Sequence, residues 1–352
     1  RLWPGVSIPG ISFWNRKRKE NSVKRIVVHT GVPPSHVLVE ERESLDQPDI
    51  ELRQCGPCAT PAEVMAAVRD ADVALCMREP YTREVLANAP KLKMVIRYGV
   101  GVDTIDLDAA TDYGVVVGYL PDFCIEEVAN HALMHLLVCA KKARQLDHAL
   151  RTQGWTAARA MLTPMGPIHG ETVGLIAFGN IARAMARRAK ALNMRVIAYD
   201  PFAPAQAFEE AGVEAVSLDE LAAQSDYVSC HLPLSEQTRN LIDARFFSKM
   251  KPTAYFINTS RGAVVKEADL IAALREKRIA GAGLDVFEKE PIAPDHPFCA
   301  MDNVTLTPHS ASYSDATMAT QRRRIGRDAL KVCRGGLPDF VANPKVLDHR
   351  RT

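Results

Sequence analysis

The chain predicts an α/β architecture: two doubly wound parallel-sheet domains. Three observations carry that reading. The length of 352 residues suits two domains, each large enough to bury its own core. Short apolar runs of strand type alternate with segments of helical spacing, the pattern of parallel sheets joined by helical crossovers. The pattern also starts afresh at Thr172 after an irregular stretch, so one architecture is used twice.

Lys24–His29 (KRIVVH) reads as the first strand. Thr60 opens a helix, with Thr60 as N-cap, Pro61 at the first helical position and Glu63 three residues on. Val73–Met77 and Met94–Arg97 are the next strands, the second running into Tyr98-Gly99-Val100-Gly101-Val102-Asp103. Glu126–Arg144 reads as one long helix. Its Leu133, Met134, Leu136, Leu137 and Val138 cover more of the circumference than one core-facing stripe requires, which predicts a homodimer interface. Residues 154–170 read as an irregular linker. The second half then offers strands at Thr172–Ala177, Arg195–Tyr199, Tyr227–His231, Ala254–Asn258, Gly281–Val286 and Val304–Leu306, with a helix at Ile181–Leu192. Asp315–Arg334 reads as a helix that crosses back to the first domain.

The predicted division is therefore 23–123 plus 312–345 for one domain and 124–311 for the other. Residues 1–22 stand apart, without an initiator Met and ending in the basic run Arg16-Lys17-Arg18-Lys19. Charges after the apolar stretch are the wrong order for a secretory signal, so this segment is expected to be a poorly ordered extension. A net charge of +2 gives no nucleic-acid footprint, and no apolar run reaches the roughly 18 residues of a membrane helix. Eight cysteines scattered through apparently buried or helical segments predict a reduced, cytoplasmic setting.

Between the strand at Thr172 and its helix lies Ala177-Phe178-Gly179-Asn180-Ile181-Ala182, the place where a dinucleotide pyrophosphate rests on backbone N–H groups. Alanine in the third small-residue place is tolerated for helix–strand packing. Alanine in the first is a departure, because it restricts the φ of the turn. Gly179, which lets backbone approach phosphate, is kept. Asp200 ends the next strand about 20 residues on, where a carboxylate accepts from the ribose hydroxyls. Phe178, Gly179, Asn180, Ile181 and Asp200 are thus candidate cofactor residues, in a Rossmann-like unit.

Downstream come Asn258-Thr259-Ser260-Arg261-Gly262, then Leu284-Asp285-Val286-Phe287-Glu288-Lys289-Glu290-Pro291, then Thr307-Pro308-His309-Ser310. An arginine, a carboxylate and a histidine in that order suffice to interconvert a 2-hydroxy acid and its keto acid. Arg261 can hold a substrate carboxylate with its planar fork. His309 can move the hydroxyl proton near neutral pH, and Glu290 can orient the imidazole and hold its protonated form.

In these motifs the chain resembles the D-isomer-specific 2-hydroxyacid dehydrogenase family over about residues 23–345. The matching stretches are Gly99–Asp103, Pro121–Leu133, the nucleotide turn, His231–Ile242, Asn258–Val265, Gly283–Pro291 and Thr307–Ala311. The resemblance implies two Rossmann-like domains with a cleft between them, NAD as cofactor, a small 2-hydroxy or 2-keto acid as substrate, and Arg261, Glu290 and His309 as the catalytic trio. It places Asp285 by the nicotinamide, His231, Pro233 and Thr238 along the adenosine side, and Thr259 near the nicotinamide half. Arg261 and His309 border the cofactor as well as the substrate. Arg78, Tyr98, Gly99, Val100 and Gly101 would face the substrate. Formate dehydrogenases of the superfamily carry glutamine where this chain has Glu290, which disfavours formate. Phosphoglycerate dehydrogenases often append a regulatory domain for which this chain ends too soon. Two alternatives share the motifs: an NAD(H)-sensing, corepressor-like binding protein, and a phosphonate (phosphite) dehydrogenase.

Two further motifs carry less. Cys55-Gly56-Pro57-Cys58 is a thioredoxin-type tetrapeptide without the preceding βαβ context, so no redox role is expected. Glu127, His131 and His135 share one helical face, yet the family's helix there packs without metal, and none is expected.

Overall fold

The computed structural model describes residues 24–352; the extension predicted at residues 1–22 lies outside the described residues. The first sheet contains β1 (Arg25–His29), β2 (Ile50–Gln54), β3 (Val73–Cys76), β4 (Met94–Arg97) and β5 (Val116–Gly118). They lie in the order β2-β1-β3-β4-β5, every pair parallel. All four residues of β3 are buried, as a central strand covered on both faces must be. The crossovers are α1 (Val39–Leu45), α2 (Pro61–Val68), α3 (Arg83–Ala87) and α4 (Leu107–Asp112). Helix α2 starts with the reciprocal cap that Thr60-Pro-Ala-Glu63 predicts: Thr60 Oγ1 accepts from Glu63 N–H while Glu63 Oε2 accepts from Thr60 N–H at 2.9 Å.

One predicted helix is corrected. Residues 126–144 form two helices: α5 (Ile125–Ala140) ends before Lys142, which turns left-handed at φ 50°, and α6 (Ala143–Gln153) sets off from there. The break lets Arg144 and Gln145 donate to the Asp302 carbonyl, at 3.1 and 2.8 Å. The stretch read as irregular linker holds a further short helix, α7 (Trp155–Ala160).

The second sheet contains β6 (Thr172–Ile176), β7 (Arg195–Tyr199), β8 (Glu214–Ala215), β9 (Tyr227–Cys230), β10 (Tyr255–Asn258), β11 (Gly281–Leu284) and β12 (Val304–Leu306). Their order is β12-β11-β10-β9-β6-β7-β8, again wholly parallel. Helix α8 (Asn180–Ala191) follows β6, and α9 (Ala205–Ala211), α10 (Leu218–Gln224), α11 (Ala244–Lys249) and α12 (Glu267–Arg275) join the later strands. Alternation along the strands splits the core into two layers. Val173, Leu175 and Ile257 pack on α5 and α8, whose Ala129, Ala132, Ala182 and Ala186 permit close approach. Ile176, Val228 and Phe256 point the other way, onto Phe247 and Leu274.

The last helix, α13 (Asp315–Cys333), returns to the first domain as predicted and packs on α1, β3 and β4. The chain beyond it then closes the β5 edge. Gly118 bridges Val341 in antiparallel fashion, and Asn343 is buried with its amide spent on backbone. Its Oδ1 accepts from Val117 N–H at 2.9 Å and its Nδ2 donates to the Val115 carbonyl at 3.0 Å. Asn343→Leu should therefore lower the unfolding free energy by about 2–4 kcal/mol, because two buried backbone groups lose their partners. Urea denaturation followed by circular dichroism measures this, and a loss below about 0.5 kcal/mol would show that water replaces the amide.

Candidate functional site

Both sheets aim the carboxyl ends of their strands at one cavity of about 860 Å³. Parallel sheets bind ligands at such ends, beside the point where strand order reverses. In the second sheet that reversal lies between β6 and β9. Strand β6 leads into Ala177–Gly179, β9 into His231, β10 into Thr259–Arg261, β11 into Asp285 and β12 into Thr307–His309. From the first sheet, β3 delivers Met77 and Arg78, and β4 delivers Tyr98–Asp103.

At the nucleotide end, Ala177 adopts φ 71°, so the alanine that departs from the glycine pattern takes the glycine conformation anyway. For a residue with a Cβ this costs roughly 1–2 kcal/mol. Strand β6 stops at Ile176 for the same reason. Gly179 is the N-cap of α8, where no side chain caps the helix. A Cβ built on Gly179 meets no protein atom within 4 Å, so the turn leaves open space against the first N–H groups of a three-turn helix. That arrangement fits a pyrophosphate. Asp200 ties the turn together: Oδ2 accepts from Phe178 N–H at 2.8 Å, and Oδ1 accepts from Phe202 N–H at 2.9 Å. Phe178 itself points inward, buried and stacked on Phe208 at 4.6 Å, so its part is to hold the turn. Asn180, Ile181, His231, Pro233 and Thr259 line the cavity. Burial lowers His231 to about 4, which keeps it neutral beside the Ser229 hydroxyl, 3.0 Å away. Thr238 lies outside the cavity lining and closes its own turn by donating to the Pro233 carbonyl at 2.6 Å.

At the other end the structure brings together the arginine, carboxylate and histidine. His309 Nδ1 lies 2.9 Å from Glu290 Oε2. Burial alone would raise the Glu290 carboxyl, but hydrogen bonds from His309 and Arg78 outweigh it and hold the group at about 2. Because that value lies below the ordinary 4.5, the carboxylate contributes stability that is present above about pH 4.5 and lost as pH falls toward 2. His309 sits at φ 53°, left-handed in a non-glycine residue, a strain of order 1–3 kcal/mol of the kind found at functional sites. Arg261 reaches the cavity over Gly101, where a Cβ would lie 1.7 Å from its Nη2. A side chain at residue 101 would push that guanidinium aside. Gly262 is the more constrained of the two, since its Cβ would lie 1.9 Å from the Phe287 carbonyl, a backbone group.

Arg78 spans the cleft. Its Nη1 donates to Glu290 Oε2 at 2.6 Å, and its Nη2 lies 3.1 Å from His309 Nε2. The approach of Nη2 to Nδ1, 2.5 Å, is a contact across the ring edge. Nδ1 needs its proton for Glu290, and a nitrogen that donates cannot accept. Gly99, Val100 and Gly101 line the cavity beside the Tyr98 ring, whose hydroxyl turns away to Glu41 Oε1 at 2.7 Å. Asp285 is wholly buried at the cavity wall, with its carboxylate taken by Thr307 Oγ1 and the N–H groups of Ser310 and Ala311.

Several groups escaped the sequence reading. Asp103 Oδ1 accepts from Arg261 Nε at 3.1 Å, so the arginine meets the cavity partly neutralised. Arg97 is a third guanidinium on the cavity, and burial pushes it down from its ordinary value. Glu79 is buried behind the Arg78 loop, accepting from the N–H groups of Met77 and Arg78 at 2.8 and 3.3 Å. This ends β3 one residue early and fixes where Arg78 starts. Arg97 adjoins the glycine loop in sequence, so its position was a usable signal; the roles of Asp103 and Glu79 depend on contacts between separate strands. Cys55 and Cys58 are both free thiols in the loop before α2, and burial raises both, Cys58 to about 11. Among the described residues no cluster of three or more His, Cys, Asp or Glu could hold a metal ion, and His131 and His135 converge on Thr307 instead.

Comparison with known proteins agrees with this geometry. Residues 133–311 match the family model described as "D-isomer specific 2-hydroxyacid dehydrogenase, NAD binding domain". A glyoxylate reductase of Korarchaeum cryptofilum is 38% identical over 289 residues, covering 82% of this chain and 87% of that protein. A D-3-phosphoglycerate dehydrogenase of Mycobacterium leprae is 40% identical over 83% of this chain but only 54% of its own length. Among solved structures, D-lactate dehydrogenase from Aquifex aeolicus, complexed with NAD and lactic acid, superposes with a TM-score of 0.78 at 26% identity. It covers 93% of this chain and 98% of that one.

The strained turn gives a direct test. Ala177→Gly should raise the unfolding free energy by about 0.5–1 kcal/mol, the left-handed penalty less the entropy that glycine loses on folding. Equilibrium urea unfolding would read the gain; a loss of stability would mean that residue 177 does not hold the left-handed conformation.

Proposed function

Because this chain belongs to the D-isomer specific 2-hydroxyacid dehydrogenase family, we propose that it reduces a small 2-keto acid to the D-2-hydroxy acid, and runs the reverse oxidation, with NAD(H) preferred over NADP(H). At the level of the family it is a nicotinamide-dinucleotide-dependent oxidoreductase of 2-hydroxy and 2-keto acids. One observation carries the finer reading: His309 Nδ1 on Glu290 at 2.9 Å, with Arg261 and the open Gly179 turn facing the same cavity.

Gly179, Asn180 and Ile181 would hold the cofactor's phosphates and His231 and Pro233 its adenosine side, with the ribose at Asp200, whose carboxylate already accepts from backbone N–H groups of the turn. When bound, the nicotinamide supplies or accepts the hydride. The protein positions and polarises. Arg261 holds the substrate carboxylate and draws charge on the developing alkoxide. In reduction the protonated His309 would donate Nδ1–H to Glu290 and give its Nε2 proton to the keto oxygen, leaving a neutral imidazole with its proton on Nδ1. Arg78 now stands beside Nε2 and must swing aside for a substrate oxygen to reach it. Glyoxylate heads the candidates because the Korarchaeum cryptofilum relative is a glyoxylate reductase by name. A spectrophotometric screen of NADH oxidation against glyoxylate, hydroxypyruvate, pyruvate, phenylpyruvate and 3-phosphohydroxypyruvate tests this. Tight NADH binding with no turnover would favour a binding protein.

We place the chain in the cytoplasm, which the eight unpaired thiols support. It is also proposed to form a homodimer. Leu133, Met134, Leu137 and Val138 are only partly covered on α5, and Leu150 and Trp155 are exposed nearby in sequence. Sedimentation should give about twice the 38.7 kDa chain mass, and Val138→Asp should give the monomer. A wild-type monomer at micromolar concentration would defeat this.

His309→Gln should lower kcat by roughly two to four orders of magnitude while NADH affinity stays within about twofold. Turnover surviving within threefold would place the proton donor elsewhere. The preference for NADH should reach about tenfold to a few hundredfold in kcat/KM, since a 2′-phosphate meets the Asp200 carboxylate as a like charge. Of the nearby arginines, Arg187 pairs with Glu126 at 3.0 Å, and Arg183 donates to Asn180 at 2.6 Å on the phosphate turn rather than at Asp200. Kinetics with both cofactors at one ionic strength decide the point. Equal or better kcat/KM with NADPH would show that Asp200 does not face the ribose.

A further inference from the structure

His131 and His135 stand one turn apart on α5, outside the trio. Their Nε2 atoms both lie on Thr307 Oγ1, at 2.8 and 3.0 Å. The hydroxyl has a single proton, and Asp285 Oδ1, 2.6 Å away, can only accept it. Thr307 must then accept from both histidines, each of which donates Nε2–H, while His131 Nε2 also lies 3.4 Å from Asp285 Oδ1, a longer second contact. Every hydrogen-bonding position on the hydroxyl is filled. Burial lowers His135 to about 4, so it is neutral and its Nδ1 is a bare acceptor; that atom is indeed buried without a partner.

The other end of this chain of bonds is the turn that carries His309. Asp285 accepts from Ser310 N–H at 2.8 Å and Ala311 N–H at 2.9 Å, and its carbonyl accepts from His309 N–H at 2.7 Å. Residues on both sides of the left-handed His309 are thus clamped to one carboxylate, itself aimed by Thr307.

We infer that His131 and His135 are positioning residues for proton transfer. By filling both lone pairs of Thr307 they fix its proton on Asp285, and so lock the 307–311 turn that holds His309 against Glu290. The inference rests on the reading of His309 as the proton donor. It assigns to the two histidines the work of aiming that donor, with no contact to substrate.

The test pairs variants that delete a donor with variants that keep it. Thr307→Val and His131→Leu should lower kcat about ten- to a hundredfold, the scale of a misplaced reacting group, with KM and NADH affinity within about threefold. Thr307→Ser and His131→Gln should recover to within about threefold of wild type. A merely structural role would move binding and thermal stability together and would not separate kcat from KM. Independently of activity, long-range ¹H–¹⁵N correlation spectra of the wild type at pH 7 should show both rings protonated at Nε2. Unchanged kcat in the Val and Leu variants, or an Nδ1–H tautomer on either ring, overturns the inference. A wild type inactive on every keto acid would instead overturn the functional reading, and the spectra would still decide the proton placement.

Discussion

Every strand in both sheets runs parallel to its neighbours, so every strand exits on the same side of its sheet. The site depends on that constraint. A histidine after β12, a carboxylate and an aspartate after β11, an arginine after β10 and a glycine turn after β6 come from distant stretches of chain. They meet because parallel strands stack their exits in a row. The first sheet adds two exits of its own, after β3 and β4, from the opposite wall. The cavity is what two such rows enclose, and its chemistry follows from which residues follow which strand.

Charge in the cavity is balanced rather than neutral. Arg261 is shared with Asp103 and Arg78 with Glu290, while Arg97 donates to the Tyr98 carbonyl. An incoming carboxylate therefore meets three guanidiniums, two of which, Arg78 and Arg261, are already aimed by carboxylate partners. Glu290, held at about 2, stays ionised throughout the range in which an enzyme of this kind would work. Its proposed task needs a permanent negative charge beside the imidazole, and the hydrogen bonds from Arg78 and His309 favour one.

Much of this was legible in the sequence, for identifiable reasons. Buried parallel strands are runs of Val, Ile, Leu and Ala, so the long-range skeleton could be read directly. The trio was visible because each member sits in a distinctive local motif. What escaped depends on partners far away in sequence. The helix break at Lys142 has no glycine or proline to announce it; it follows from the carbonyl of Asp302 waiting for Arg144 and Gln145. Ala177 looked like an obstacle to the turn, yet the surrounding sheet forces it to φ 71°. His131 and His135 share a helical face, as spacing implied, but spacing could not say that their common partner would be a threonine hydroxyl.

The contact at Gly262 has a consequence for how such a protein could diversify. Its Cβ position lies 1.9 Å from the Phe287 carbonyl, so the arginine turn and the segment leading to Glu290 touch backbone to backbone. Neither can shift without the other, and the reacting groups behave as one stiff jaw. The opposing jaw is built from loops of a separate sheet and lines the cavity with Met77, Arg78 and residues 98–103. Selection for new substrates can then act on one jaw while the other is held constant. A lineage could exchange its diet by rewriting about ten residues, without reinventing its chemistry.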